Sequence, residues 1–101
     1  MLIEFATFPI GEEGGLSEAV SAVIDIIDRS GLPYRSHSMG TLVEGDWEEV
    51  MDLIKTCHQH LKDRFDRIET RIVIDDRKGV TGQLDGKIAS IEKKLGRQVK
   101  K

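Results

Sequence analysis

The residues with the widest chemical repertoire are Cys57, His58 and His60, which lie almost side by side. In a helix, Cys57 and His60 share a face at i, i+3, a spacing that zinc ligands use. The remaining ligands would have to come from distant segments. Cys57 also falls on an apolar stripe, where a thiol packs rather than reacts. Neither a metal site nor a cysteine nucleophile is therefore expected. His37 sits in a polar stretch and is expected to be solvated. Gly11 to Gly15 precedes a helical pattern, as a phosphate cradle would. It matches neither a Walker loop nor a dinucleotide fingerprint, and Glu12 and Glu13 within it repel phosphate. It reads as a loop. Asp75 and Asp76 are adjacent, so on a strand they point to opposite sides. A turn salt-bridged through Arg77 is expected there, not a cation site. No acid–base pair or triad emerges from the spacing, so no catalytic residue and no cofactor is expected.

Composition narrows the classes further. The chain has 101 residues, a common domain size, and residues 1–101 are read as a single domain without a linker. Hydrophobic residues make up 39% and charged residues 33%, which argues against intrinsic disorder. The 15 basic and 18 acidic residues give a net charge of −3, the wrong balance for a general nucleic-acid binder. With one cysteine, Cys57, no intramolecular disulfide forms. No apolar run approaches the ~20 residues of a membrane span. The start, Met1-Leu2-Ile3-Glu4, lacks the basic region of a signal peptide. A cytoplasmic protein with no membrane and no nucleic-acid partner is expected.

The elements that must position any site follow from periodicity. Leu2 to Ile10 reads as a strand ended by Pro9 and Gly11. Leu16, Val20, Val23, Ile24 and Ile27 have helical spacing, and Gly31 stands where a helix-terminating glycine belongs. Tyr34 to Ser38 reads as a polar strand, Met39-Gly40 as a turn and Thr41 to Glu44 as another strand. Asp46-Trp47-Glu48-Glu49 has the form of a capping box. It opens a helix whose expected stripe is Trp47, Val50, Ile54, Cys57 and Leu61. Arg67 to Asp75 alternates as a half-buried strand does. Leu84, Ile88, Ile91 and Leu95 mark a last helix. The order β-α-β-β-α-β plus a helix predicts an α+β, ferredoxin-like sandwich with an additional C-terminal helix. The first strand should lie between the third and fourth.

Strand parity then distributes the side chains. A carboxylate beneath two helices is costly, so Glu4, Ala6 and Phe8 are expected on the outer sheet face, away from the helices. Leu42, Glu44, Arg71 and Val73 are expected to join them. Two readings of that face stay open. One is subunit packing, with Glu4 and Arg71 as a cross-strand ion pair. The other is a ligand pocket built around a carboxylate. An RNA-binding sheet is disfavoured, because Thr41-Leu42-Val43-Glu44-Gly45 has no stacking aromatic.

The segment Met39-Gly40-Thr41-Leu42-Val43-Glu44-Gly45-Asp46-Trp47 resembles the small YkoF-like thiamine-binding proteins. Glu4-Phe5, Ser30-Gly31-Leu32, Glu49-Val50-Met51, Cys57-His58, Ile74-Asp75-Asp76-Arg77, Gly86-Lys87 and Glu92-Lys93-Lys94-Leu95 extend the resemblance in order along nearly the whole chain. It implies a ferredoxin-like fold and oligomers, a dimer or tetramer, joined through the sheets. It also implies binding of thiamine or its hydroxymethylpyrimidine part, without enzyme activity. Thiamine has a thiazolium cation and a flat aminopyrimidine, which suit a carboxylate, an aromatic face, acceptors and donors. Glu4, Glu44, Phe5, Phe8, Ser38 and Thr41 are the residues of this chain suited to those roles. Glu44 is expected to face either Arg71 or a ligand cation. The alternative is a structural or regulatory interaction module without a vitamin. A small enzyme assembled across subunits is the further rival.

Overall fold

The computed structural model describes residues 1–11 and 14–101. Glu12 and Glu13 of the expected loop lie outside the described residues. Strand β1 (Leu2–Pro9) leads to helix α1 (Leu16–Arg29), then β2 (Tyr34–His37), β3 (Gly40–Glu44), helix α2 (Trp47–Lys62), β4 (Ile68–Asp75) and helix α3 (Gln83–Leu95). The strands form one antiparallel sheet in the order β2-β3-β1-β4. This is the ferredoxin-like order with an added C-terminal helix.

Helices α1 and α2 cover one sheet face. Ile3 and Phe5 of β1 and Val43 of β3 pack there against Ala19, Val23 and Ile27 of α1 and Val50, Leu53, Ile54, Cys57 and Leu61 of α2. The parity reading holds: Ile3, Phe5 and Thr7 face the helices, opposite Ile74, Ile72 and Thr70. Glu4, Ala6 and Phe8 stand on the other face, opposite Val73, Arg71 and Glu69. Ile72 and Ile74 nevertheless remain partly exposed, because β4 is the edge strand and the helices do not reach over its far half.

The capping box forms as expected. The Asp46 carboxylate accepts from Glu49 N–H at 2.8 Å, and the Glu49 carboxylate accepts from Asp46 N–H at 3.4 Å. Such a cap stabilises a helix by about 1 kcal/mol. Helix α1 ends with Gly31 at φ 77°, a conformation that glycine adopts without steric penalty.

Several expectations are corrected. Trp47 is 54% exposed. As the first residue of α2 it projects before the helix meets the sheet, and Leu53 takes the place in the core. Leu16 and Val20 of α1 are likewise exposed, while Ala19 is buried, since Leu16 and Val20 border an open cavity beside the end of β1. The β2–β3 turn is Ser38-Met39 rather than Met39-Gly40, with His37 opposite Gly40. Gly40 is a strand residue whose small size matters: a Cβ there would lie 2.9 Å from the Phe5 carbonyl oxygen.

The expected Glu4–Arg71 pair is also replaced. The register sets Arg71 opposite Ala6 and Glu4 opposite Val73. Arg71 instead bonds Glu69 at 2.7 Å and lies 5.8 Å above the Phe8 ring centre, a cation–π distance. Asp75 pairs with Lys87 of α3 rather than with Arg77, and the hydrogen bond from Lys87 holds its carboxyl below the usual carboxylate range.

Helix α3 is the element that ferredoxin-like order alone does not place. Its first turns dock on the outer face. Arg35 of β2 pairs with Asp85, and Asp75 of β4 pairs with Lys87. Beyond them the helix buries none of its residues, and the molecule is elongated, 47 × 29 × 21 Å.

Candidate functional site

A cavity of about 330 Å³ opens where the sheet ends between α1 and the β2–β3 turn. That is the small end of the roughly 300–1,000 Å³ range of ligand pockets. Its apolar wall comes from Phe5, Leu16, Val20, Val23 and Ile24, and its other side from His37 to Thr41. Local sequence explains the opening. Strand β1 runs to Pro9, but β3 begins only at Gly40, with Thr41 opposite Phe5. The last residues of β1 therefore extend past β3 and leave a notch.

Backbone direction at the notch follows from two hydrogen bonds. Gly45 N–H donates to the Met1 carbonyl on the β3 side, and Ile10 N–H donates to the Arg67 carbonyl on the β4 side. Odd-numbered residues of β1 therefore direct their peptide groups toward β3. The N–H and C=O of Thr7 point past the end of β3, where no strand pairs with them. Pro9, which has no N–H to leave unpaired, occupies the same open side. A strand edge of this kind offers a donor and an acceptor side by side, within an otherwise apolar cavity.

The polar side chains around it are fixed. His37 Nδ1 accepts from Met39 N–H at 3.2 Å, which places the ring hydrogen on Nε2. That nitrogen lies 3.2 Å from a Glu4 carboxylate oxygen. His37 is thus beside Glu4 at the cavity rim and stays exposed, as the sequence suggested. The Thr41 hydroxyl is buried, 3.5 Å from that of Ser36. The Thr7 hydroxyl, also buried, is 2.7 Å from that of Thr70.

The expected site residues divide accordingly. Phe5, Phe8, Ser38 and Thr41 line the cavity. Glu4 reaches it only through His37. Glu44 lies at the other end of β3 and does not line it. Its carboxylate accepts from the N–H groups of Gln83 at 2.9 Å and Leu84 at 3.1 Å. This corrects the expectation of Arg71 as its partner, since Arg71 pairs with Glu69. A carboxylate is attracted to the unpaired N–H groups and positive dipole of a helix start, and α3 has no side-chain cap of its own. Burial pushes the Glu44 carboxyl upward, but the amides of Gln83 and Leu84 outweigh it and hold it below the usual range.

Thr7 and His37 were missed as cavity residues. The parity that sets Thr7 beneath the helices marked it as core, and nothing in the sequence shows that β1 outruns β3. Cys57 is fully buried in the core, and burial pushes its thiol up to about 11, so it is inert at neutral pH. Among the described residues, no group of three or more His, Cys, Asp or Glu side chains is arranged to hold a metal ion, and no helix is long and apolar enough to cross a membrane.

The comparisons with known proteins agree with this architecture. The chain is 35% identical over 96 residues to a UPF0045 protein of Mycobacterium bovis, covering 94% of each. A hypothetical protein of Methanocaldococcus jannaschii has a crystal structure that superposes with a TM-score of 0.81 at 27% identity, covering 89% of this chain and 93% of that one. A Thermotoga maritima protein proposed to act in thiamine biosynthesis or salvage superposes with a TM-score of 0.78 at 27% identity, covering 89% and 96%. Residues 3–92 match the family described as thiamine-binding protein. With that match spanning most of its length and the same fold beneath it, the chain belongs to the thiamine-binding protein family.

Proposed function

We propose that this chain binds thiamine, or its hydroxymethylpyrimidine part, in the notch cavity, and that it does so in the cytoplasm as a dimer or tetramer without catalysing a reaction. The observation that carries the reading is the pairing of an apolar, aromatic-lined cavity with the open strand edge at Thr7. An aminopyrimidine is flat and apolar on its faces, and its edge carries an amino donor beside a ring-nitrogen acceptor. The Thr7 C=O and N–H complement that edge. Phe5 and Phe8 supply aromatic surface, and Ser38 and Thr41 supply hydroxyls. Glu4, turned toward the rim by His37, offers the negative charge that suits the thiazolium. Glu44 serves α3 in this reading rather than the ligand.

Self-association is supported by what a single chain leaves uncovered. Val73 on the outer face is 63% exposed, and Ile88, Ile91 and Leu95 of α3 are exposed on one stripe. Such surface suits burial between copies.

Calorimetric titration of thiamine and of hydroxymethylpyrimidine tests the ligand, with light scattering for the assembly. Micromolar binding, about −8 kcal/mol, is expected for thiamine. Thr41→Val should weaken it roughly threefold to tenfold, the value of one neutral hydrogen bond. A folded oligomer that binds neither compound would instead favour the structural or regulatory module.

A further inference from the structure

The Thr7 hydroxyl belongs to a chain of hydrogen bonds that leaves the cavity. Thr7 and Thr70 stand directly opposite in the β1–β4 register, with their hydroxyl oxygens 2.7 Å apart. Thr70 Oγ1 is also 2.7 Å from Nδ1 of His58 on α2. Thr7 lines the cavity, whereas Thr70 and His58 do not.

Direction in this chain is constrained, because a hydroxyl has one hydrogen to give and two lone pairs to offer. If both neighbours donate to Thr70, the Thr70 hydrogen has no acceptor. If the chain runs outward from His58 to Thr7, the Thr7 hydrogen has no acceptor within the protein among the described residues. If Thr7 donates to Thr70 and Thr70 donates to His58 Nδ1, every hydroxyl hydrogen is used. The remaining ring hydrogen then sits on Nε2 of a half-buried imidazole, within reach of water. Buried polar groups are rarely left unpaired, and the last arrangement alone pairs both hydroxyl hydrogens within the protein.

We infer that His58 and Thr70 hold Thr7 as a hydrogen-bond acceptor in the cavity wall, so that the site selects a ligand edge that donates. In the proposed binding of thiamine, on which this inference rests, the donor is the amino group of the aminopyrimidine. His58 and Thr70 are positioning residues: they act on the ligand only through the direction they impose on Thr7.

The test compares thiamine with the analogue in which oxygen replaces the amino group, by calorimetry on the full-length protein. The wild type should favour thiamine by about tenfold or more, the value of one well-made hydrogen bond and an avoided lone-pair clash. Thr70→Val and His58→Phe should each lower that preference by roughly threefold to tenfold while thiamine still binds, because the freed Thr7 hydroxyl rotates to donate or accept. Thr7→Val should lower it equally, and Thr7→Ser should retain it. An unchanged preference in both Thr70→Val and His58→Phe overturns the relay. The ring nitrogen NMR shifts of His58 in the ligand-free wild type test the hydrogen-bond direction separately. The neutral ring with its hydrogen on Nε2 is expected, and a hydrogen on Nδ1 overturns the inference whatever binds. Failure of the wild type to bind either compound overturns the ligand reading and its selectivity, while the tautomer still decides the hydrogen-bond direction.

Discussion

Helices α2 and α3 have similar patterns and opposite fates. Each carries an apolar stripe, acidic residues in its first turn and basic residues in its last. Helix α2 buries Val50, Leu53, Ile54, Cys57 and Leu61 against the sheet. Helix α3 buries nothing. Their starts differ in the same sense. Helix α2 carries its own capping box, from residues within one turn of each other. Helix α3 begins at Gly82 in the left-handed conformation without a side-chain cap, and Glu44 of β3, 39 positions earlier, accepts from its first amides. Amphipathicity thus forms both helices, but only a partner surface decides what the stripe does. One is held by the core, the other by a few polar contacts at its first turns.

Truncating a side chain in each stripe separates the two helices most clearly. Ile54→Ala removes a buried side chain from α2 and should cost about 2–5 kcal/mol of folding stability, read as a lowered urea midpoint. A loss below about 1 kcal/mol would mean that the core relaxes to fill the gap.

The next effect is on the docking of α3. Glu44→Gln keeps the shape but removes the charge that faces the helix start, and should weaken docking by about 1–2 kcal/mol. Amide exchange at Gln83 and Leu84 should speed up accordingly, while exchange in α2 stays unchanged. The same loss should appear with acid. The folded-state Glu44 carboxyl is held below its ordinary 4.5, so its contribution is complete above that pH and is lost as pH falls below it, through the depressed folded value. Exchange at these amides that does not respond to acid would remove Glu44 as the clasp.

The smallest effect on the single chain is expected at α3. Ile91→Ala should change the unfolding midpoint of the dilute protein by less than about 0.5 kcal/mol, since the side chain is already exposed. It should instead weaken self-association, measured by light scattering over a dilution series. Unaltered association would clear the stripe of that role.

The distinction extends to the candidate site. Phe5, Phe8, Ser38 and Thr41, singled out by residue type, line one cavity. Glu4 and Glu44 were legible only as carboxylates on the outer sheet face. Which of them sits near the cavity depends on how far β1 and β3 overlap, and on where α3 begins its docking. His37 was legible as exposed, but not its neighbour Glu4, which is 33 positions away and lies across β3, a strand to which neither belongs. Thr7 was legible as buried, but not as a cavity residue.

By itself, the amino-acid sequence determined the element order, the α2 capping box, the parity of each strand and the identity of most core residues. These depend on interactions within a few positions and on the fixed periods of helix and strand. The tertiary structure alone decided the notch, the seat of Glu44 and the hydrogen-bonded line from His58 to Thr7. The first depends on strand overlap, the second on a contact between segments 39 positions apart, and the third on β1, β4 and α2 meeting at one point. Local periodicity carries no information about offsets between distant segments, which are set only when the whole sheet and its helices pack together.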